Sequence, residues 1–367
     1  MNRSKESRKI AEISKHNASA VLEAGYIGER LALVNGLLPR LGPQSESIVG
    51  AEFSRALDQS VAYLQSQEAA EALALDPYWP KWQGPWWHAL LLFELGQAGK
   101  IPHQFWQKYV SLVDSHYLHF FPFRMEEVPE HLDPVSNIAC HCFLGTYVQV
   151  LSSIEGNNHI SPWIAGWFQR YQNPDGGLNC DEAAYLKDSP TSSVTSTVPV
   201  VEALLSKSGN LSRSEEDFVD RSMDYVLKRR LLRSLSSGKI IDESWLAPAF
   251  PRYYEYDVMR GLQLTAKYAV TMGRKVQACQ ILEAFQIVDG CLGVGGFTQK
   301  SSHCLEARTR VPVRPGLPLL TGQSAICPPL LRFCDQPGTV SPWLLRHYAE
   351  ILTNIGDMLN SGLIILS

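Results

Sequence analysis

Five stretches of the chain read as apolar helices that begin just behind a loop bearing proline or glycine. Their recurrence constrains the fold more than any other feature. They start at Pro85 (PWWHALLLFELG), Asp133 (DPVSNIACHCFLGTYVQVL), Asp188 (DSPTSSVTSTVPVVEALL), Phe250 (FPRYYEYDVMRGLQLTAKYAV) and Thr321 (TGQSAICPPLLRF). The starts lie roughly 50 to 70 residues apart, which leaves room in each interval for a second helix and its loops. Asp133-Pro134 and Asp188-Ser189-Pro190 each offer a capping oxygen with a proline close behind, where the missing N–H costs nothing. Leu90 to Phe93, Ile138 to Leu144 and Val198 to Leu205 are apolar nearly all round, as enclosed helices must be. The intervening LSRSEEDFVDRSMDYVLKRRLL is amphipathic and charged, as an outer layer must be. Helix pairs repeated in this way either stack in an open solenoid or close into a ring, and the separation of apolar and charged helices predicts the ring.

The expected fold class is therefore all-α, an α/α toroid over residues 76–367. A helical extension over 18–75 precedes it, with helices near 18–39 and 50–73 paired as a hairpin, and a mobile polar arm occupies 1–17. With 45% hydrophobic and 19% charged residues in 367, the chain has material for a large core. A net charge of -4 with mixed signs provides no basic stripe for a phosphate backbone, so nucleic acid is not an expected partner. No apolar run approaches the ~20 residues of a membrane span. The polar start lacks the apolar core of a secretory signal, and eight irregularly spaced cysteines read as reduced thiols, so the expected location is cytoplasmic. Nothing in the pattern fixes an oligomeric state.

The segment WFQRYQNPDGGLNCDEAAYLKDSPTSSVTSTVPVVEALL resembles the repeat of squalene and hopene cyclases and of protein prenyltransferase β subunits. In that repeat an outer helix runs through a Q-x-x-D-G-G turn into an inner helix rich in Ser, Thr and Ala. The matching residues are Gln172, Asp175, Gly176 and Gly177, then Ser192, Ser193, Ser196, Thr197 and Ala203, with a degraded copy at Asp289, Gly290, Gly295 and Gly296. The resemblance implies the same toroid and a small apolar or amphipathic, isoprenoid- or lipid-like ligand in its central cavity. The D-x-D-D acid motif of the cyclases and the D-D-x-x-D magnesium-diphosphate motif of other terpene enzymes are both missing.

In such a toroid the cavity is lined by the starts of the inner helices, where the helix dipole favours anions and metal-bound thiolates. This nominates Trp82, Trp86, Trp87 and His88; Asn137, Cys140 and His141; Cys180, Asp181, Ser193 and Ser196; Arg252, Tyr253, Tyr254 and Asp257; and Gln323. Three function classes follow. A zinc-dependent transferase or cyclase would hold the metal through Cys140, His141 and Cys180, completed by His88, Asp257 or His303. Cys140-His141 is similar to the Cys-His pair of lanthionine cyclases, and prenyltransferases hold zinc with Asp, Cys and His. The competing reading makes Cys140 and Cys142 small buried hydrophobes and His141 a core histidine. A carbohydrate hydrolase would set Asp181 or Glu182 against Asp257, with Tyr253, Tyr254 and His88 as further proton-transfer groups and the tryptophans stacking on sugar rings. In a non-catalytic binding or scaffold protein the tryptophans are core and Asp257 is tied to Arg252 or Arg260. The run Thr191 to Thr197 lacks the G-x-S-x-G elbow of a serine hydrolase.

Overall fold

The computed structural model describes residues 20–41, 48–115, 140–155, 161–180, 184–185, 187–207, 211–304, 307–312 and 320–366. Asn137, Asp181 and Glu182, the expected cap Asp133-Pro134 and the 1–17 arm lie outside them. The structure is mostly helical, as expected, with 61% of the described residues in helices. In chain order the α-helices are α1 (Ala24–Leu41), α2 (Ile48–Leu64), α3 (Gln67–Leu75), α4 (Pro85–Glu94), α5 (His103–Ser115), α6 (His141–Glu155), α7 (Pro162–Arg170), α8 (Val194–Leu205), α9 (Arg213–Lys228), α10 (Val258–Met272), α11 (Ala278–Gly290), α12 (Pro329–Cys334) and α13 (Pro342–Asn360). Three small two-stranded sheets complete the described residues. They pair β1 (Val276–Gln277) with β6 (Ile364–Ile365), β2 (Leu292–Gly293) with β3 (Gly296–Phe297), and β4 (Arg308–Val311) with β5 (Leu320–Ser324).

The apolar helices pack on one another in succession: α4 on α6, α6 on α8, α8 on α10, α10 on α13. The charged helix α9 packs outside α8 and α11. It starts from a capping box in which Ser212 and Glu215 bond each other's backbone, and it turns Phe218, Val219, Met223 and Val226 inward. Two expected boundaries move. The helix read from Asp188 begins at Val194, because Leu178 and Ser193 form a β-bridge that holds the preceding residues extended. The segment read as a helix from Thr321 is strand β5, and its helix waits until Pro329, where a proline pair blocks any earlier start. The lead-in helices do not pair as a hairpin. α1 lies along α13, where Asp289 accepts bonds from Tyr26 and Arg30, each at 2.6 Å, and from Tyr348. α2 lies on α4 and α12. Asp289 therefore ties helices together instead of bracing a second D-G-G turn.

The D-G-G turn after α7 works as a latch. Gly176 has φ +94, and a Cβ there would lie 2.3 Å from the Arg221 carbonyl oxygen, so only glycine fits. The Gln172 side-chain amide donates to Gly176 O at 2.9 Å, Phe218 O at 2.9 Å and Ser222 Oγ at 3.0 Å, joining the turn to α9. Leu178 N donates to Thr197 Oγ1 at 2.9 Å and Cys180 N to Ser196 Oγ at 3.0 Å, joining it to α8. The serine- and threonine-rich helix start thus fixes where Cys180 emerges.

Candidate metal centre

Cys140 is the residue just before α6, and its carbonyl accepts the first helical bond, from Leu144 N at 3.0 Å. Its own backbone is not yet helical, so the usual rotation between successive helical residues does not apply and its side chain meets that of Cys142. The two sulfurs are 3.3 Å apart. Cys180 arrives from the latch and its sulfur accepts the Cys142 N–H at 3.3 Å. The ligand atoms of Cys140, Cys142 and Cys180 all lie within 4.8 Å of one another. A tetrahedral zinc with Zn–S bonds of about 2.3 Å needs sulfurs about 3.8 Å apart, between these two figures. The donor set is soft, buried and at the N-terminal end of a helix, all of which suit a thiolate-bound metal. Burial works against an anionic Cys180, yet the neighbouring thiols, His141 and the Ser196 hydroxyl leave it well below the ordinary thiol range. Donation toward Cys140 and Cys180, with burial, pushes Cys142 up. The three thiols therefore behave as a unit, with Cys180 as the acceptor.

His141 lies outside this group, though near enough to bear on the charge of Cys180. Its Nε2 lies 3.2 Å from the Tyr185 hydroxyl and its ring packs among Phe168, Tyr171 and Tyr185. The candidate cluster thus holds Cys142 with Cys140 and Cys180, whereas His141, grouped with the latter two in the sequence, lies outside it. A C-x-C spacing at a helix start was the signal available for it.

Tyr78, Lys81 and Tyr254 lie within electrostatic reach of the sulfurs, and an aromatic cluster surrounds Lys81. Lys81, half-buried, places its ammonium 4.8 to 6.0 Å from the ring centres of Tyr78, Trp79, Trp82, Trp87 and Tyr254, and donates a short hydrogen bond to the Tyr254 hydroxyl. Burial lowers its pKa, and the negative charges available at Cys142, Glu255 and Cys140 partly restore it. The loop carrying it is anchored by Lys81 N donating to Thr309 Oγ1 at 2.8 Å. Trp82 and Tyr253, both with positive φ (72° and 52°), stack at 5.3 Å, and His303 lies 4.7 Å from Trp82. Non-glycine residues in that region are strained, and strain of this kind gathers where a site is shaped. Tyr253 has a buried hydroxyl without a partner, and burial holds its pKa well above the ordinary phenol value. Lys81 and Tyr78 were not anticipated among the site residues; only the tryptophan density around them marked the loop.

The other nominated residues have structural places. Trp86 is core, stacked on Tyr109 at 5.2 Å. Trp87 donates its indole N–H to Tyr78 O at 2.8 Å. Ser193 is the residue before α8. Asp257 caps α10, one oxygen accepting Arg260 N at 2.7 Å and the other Ala249 N at 3.2 Å. Burial raises its pKa, against Arg252 and those two N–H groups. Arg252 donates its N–H to Glu94 at 3.0 Å and its guanidinium to Gln263 at 2.8 Å. Gln323 is exposed on β5, and His88 lies apart from the sulfurs, its ring 4.5 Å from Tyr63. Among the described residues no helix is long and apolar enough to cross a membrane. All eight cysteines are free thiols. Comparison of the chain with protein-family models, with curated proteins and with solved structures found no match.

Proposed function

We propose that the protein binds zinc through Cys140, Cys142 and Cys180 and uses it in transferase- or cyclase-type chemistry on a small apolar or amphipathic ligand held against the aromatic cluster around Lys81. The observation that carries this reading is the convergence of three sulfurs within 4.8 Å. Zinc held by three protein ligands keeps a fourth position for a substrate atom, and a soft ligand such as a thiol is held there deprotonated. The chain's own residues supply the rest. Lys81 offsets the negative charge of the thiolates, and its hydrogen bond orients the Tyr254 hydroxyl as a proton donor. Trp82, Trp87 and Tyr253 present ring faces and exclude water.

The toroid belongs to the same proposal, supported by the succession of contacts from α4 through α6, α8 and α10 to α13. A cytoplasmic location is in keeping with eight free thiols. Carboxylate hydrolysis is less favoured, since both Asp257 oxygens are used in capping. A second reading, a structural zinc in a binding protein, draws on burial: Cys140 is 4% and Cys142 8% exposed.

Elemental analysis of the purified protein tests the proposal. Stoichiometric zinc is expected in the wild type and in His141→Gln, with loss in Cys142→Ser; zinc that survives Cys142→Ser, or a metal-free wild type, sinks it. Cobalt substitution separates the two readings. A visible spectrum altered by 2-mercaptoethanol marks an open position, and an unaltered one favours the structural role.

A further inference from the structure

The geometry that lets three sulfurs share a metal also lets two of them join. Every pair among Cys140, Cys142 and Cys180 lies within 4.8 Å, and the Cys140 and Cys142 sulfurs are already 3.3 Å apart. A disulfide bond is about 2.05 Å long, so closing any pair moves a sulfur by less than about 3 Å, within the sweep of side-chain rotation. Exposure ranks the three. Cys140 and Cys142 are buried, whereas Cys180, set at the end of the D-G-G latch by its N–H bond to Ser196, is half-buried. Oxidation of cysteine follows exposure, so an oxidant entering from solvent meets Cys180 first, with two thiols beside it. Zinc in proteins is held by at least three side chains, and a disulfide within this set leaves it one sulfur.

Resting on the zinc reading of these sulfurs, we propose that oxidation controls the centre. Hydrogen peroxide converts Cys180 to a sulfenic acid, a thiol of the Cys140 and Cys142 pair closes a disulfide onto it, and the one sulfur left cannot keep the metal. In the first step the Cys180 sulfur attacks a peroxide oxygen, an S–O bond forms, the O–O bond breaks, and the expelled hydroxide leaves as water after taking up a proton. In the second, Cys140 or Cys142 attacks the Cys180 sulfur, the S–S bond forms, the S–O bond breaks, and hydroxide again leaves as water. Two thiols are oxidised to one disulfide, and one peroxide is reduced to two waters. A dithiol reductant reverses the change by exchange.

The experiment treats the full-length zinc-loaded protein with hydrogen peroxide, follows zinc release with a colorimetric chelator, and locates the disulfide by alkylation and tryptic mapping. Stoichiometric release is expected, in step with a cross-link between the peptides spanning residues 125–170 and 171–187, and dithiothreitol should undo both. Cys304 and Cys327, whose thiols are also in contact, fall in other peptides and do not confuse the assignment. In the double variant Cys140→Ser/Cys142→Ser, Cys180 should accumulate as a sulfenic acid that dimedone traps. In Cys180→Ser, oxidation of the remaining pair should slow at least tenfold. Zinc retained under peroxide with Cys180 still open to alkylation, or a disulfide joining Cys140 to Cys142 while Cys180 stays reduced, overturns the proposal and leaves the zinc reading standing. A wild type purified without zinc overturns that reading, and the release with it.

Discussion

Substituting Gly145 by alanine tests whether helix packing sets the sulfur geometry. Gly145 is three residues after Cys142 on α6, at the crossing with α8. A Cβ there would lie 2.5 Å from the Pro199 carbonyl carbon, 2.6 Å from its oxygen and 2.7 Å from Val200 N. All three are backbone atoms, so no side chain can swing aside, and ordinary contact requires the helices to part by roughly 1 Å. Gln149 clamps the same crossing by donating to Pro199 O at 3.0 Å. Overpacking of this kind costs about 1–3 kcal/mol, while replacing glycine within a helix returns about 1 kcal/mol, so Gly145→Ala should be less stable by up to about 2 kcal/mol. The shift far exceeds the ~0.2 Å tolerance of a metal site, and zinc affinity should fall at least tenfold as Cys142 moves from Cys180. Urea unfolding followed by tryptophan fluorescence, with a competitive chelator titration, measures both effects. Gly166→Ala on α7 is the control, since nothing lies within 4 Å of its Cβ position, and it should gain about 1 kcal/mol with zinc binding unchanged. If Gly145→Ala also gains stability and keeps its zinc affinity, the helix crossing does not set the site.

Further outcomes follow from the same contacts. Arg260, 3% exposed, donates to Glu202 at 2.6 Å and to the carbonyls of Tyr253 and Glu255 at 2.9 and 2.6 Å, so Arg260→Met should cost about 3–5 kcal/mol in urea unfolding and loosen the loop carrying Tyr254. Burial raises the Glu202 pKa, but Arg260 with Arg252 and Lys267 brings it below the ordinary carboxylate value. Its stabilisation is therefore complete above the unfolded pKa of about 4.3 and lost as the pH falls through the folded value. The variant, with Glu202 left buried and unpaired, should show the opposite slope on acidification; parallel pH profiles for wild type and variant would contradict the pairing. Gln172→Ala removes the amide whose two N–H groups are shared among Gly176 O, Phe218 O and Ser222 Oγ, leaving Gly176 O only the Ser222 hydroxyl, and should cost about 1–3 kcal/mol by the same assay. A loss below about 0.5 kcal/mol would mean the latch is held without Gln172.

The helical architecture was legible because its signals are local. The apolar stretches Leu90 to Phe93 and Val198 to Leu205 each occupy a largely buried helix, and Gln172, Asp175, Gly176 and Gly177 make the turn their residue types require. The site was legible only in part, because convergence depends on where a helix begins. Read as helix from Asp133, residues 140 to 142 point to three directions and nothing prefers Cys142 over His141. With the helix beginning at His141, Cys140 is free to fold back onto Cys142. Ser196 and Asp257 illustrate the converse: polar residues at helix starts resemble ligand-binding groups, yet their oxygens are taken by backbone N–H donors. The strand at Leu320–Ser324 escaped for a related reason, as its pairing with β4 is a tertiary event that a short polar run does not announce.

X-ray absorption at the zinc edge of the reconstituted wild-type protein examines the metal proposal at its source, because it counts the ligand atoms directly. Three sulfur scatterers at about 2.3 Å are expected, falling to two in Cys142→Ser and remaining three in His141→Gln. A spectrum dominated by nitrogen and oxygen, or an imidazole signature that vanishes in His141→Gln, would contradict the three-thiolate centre.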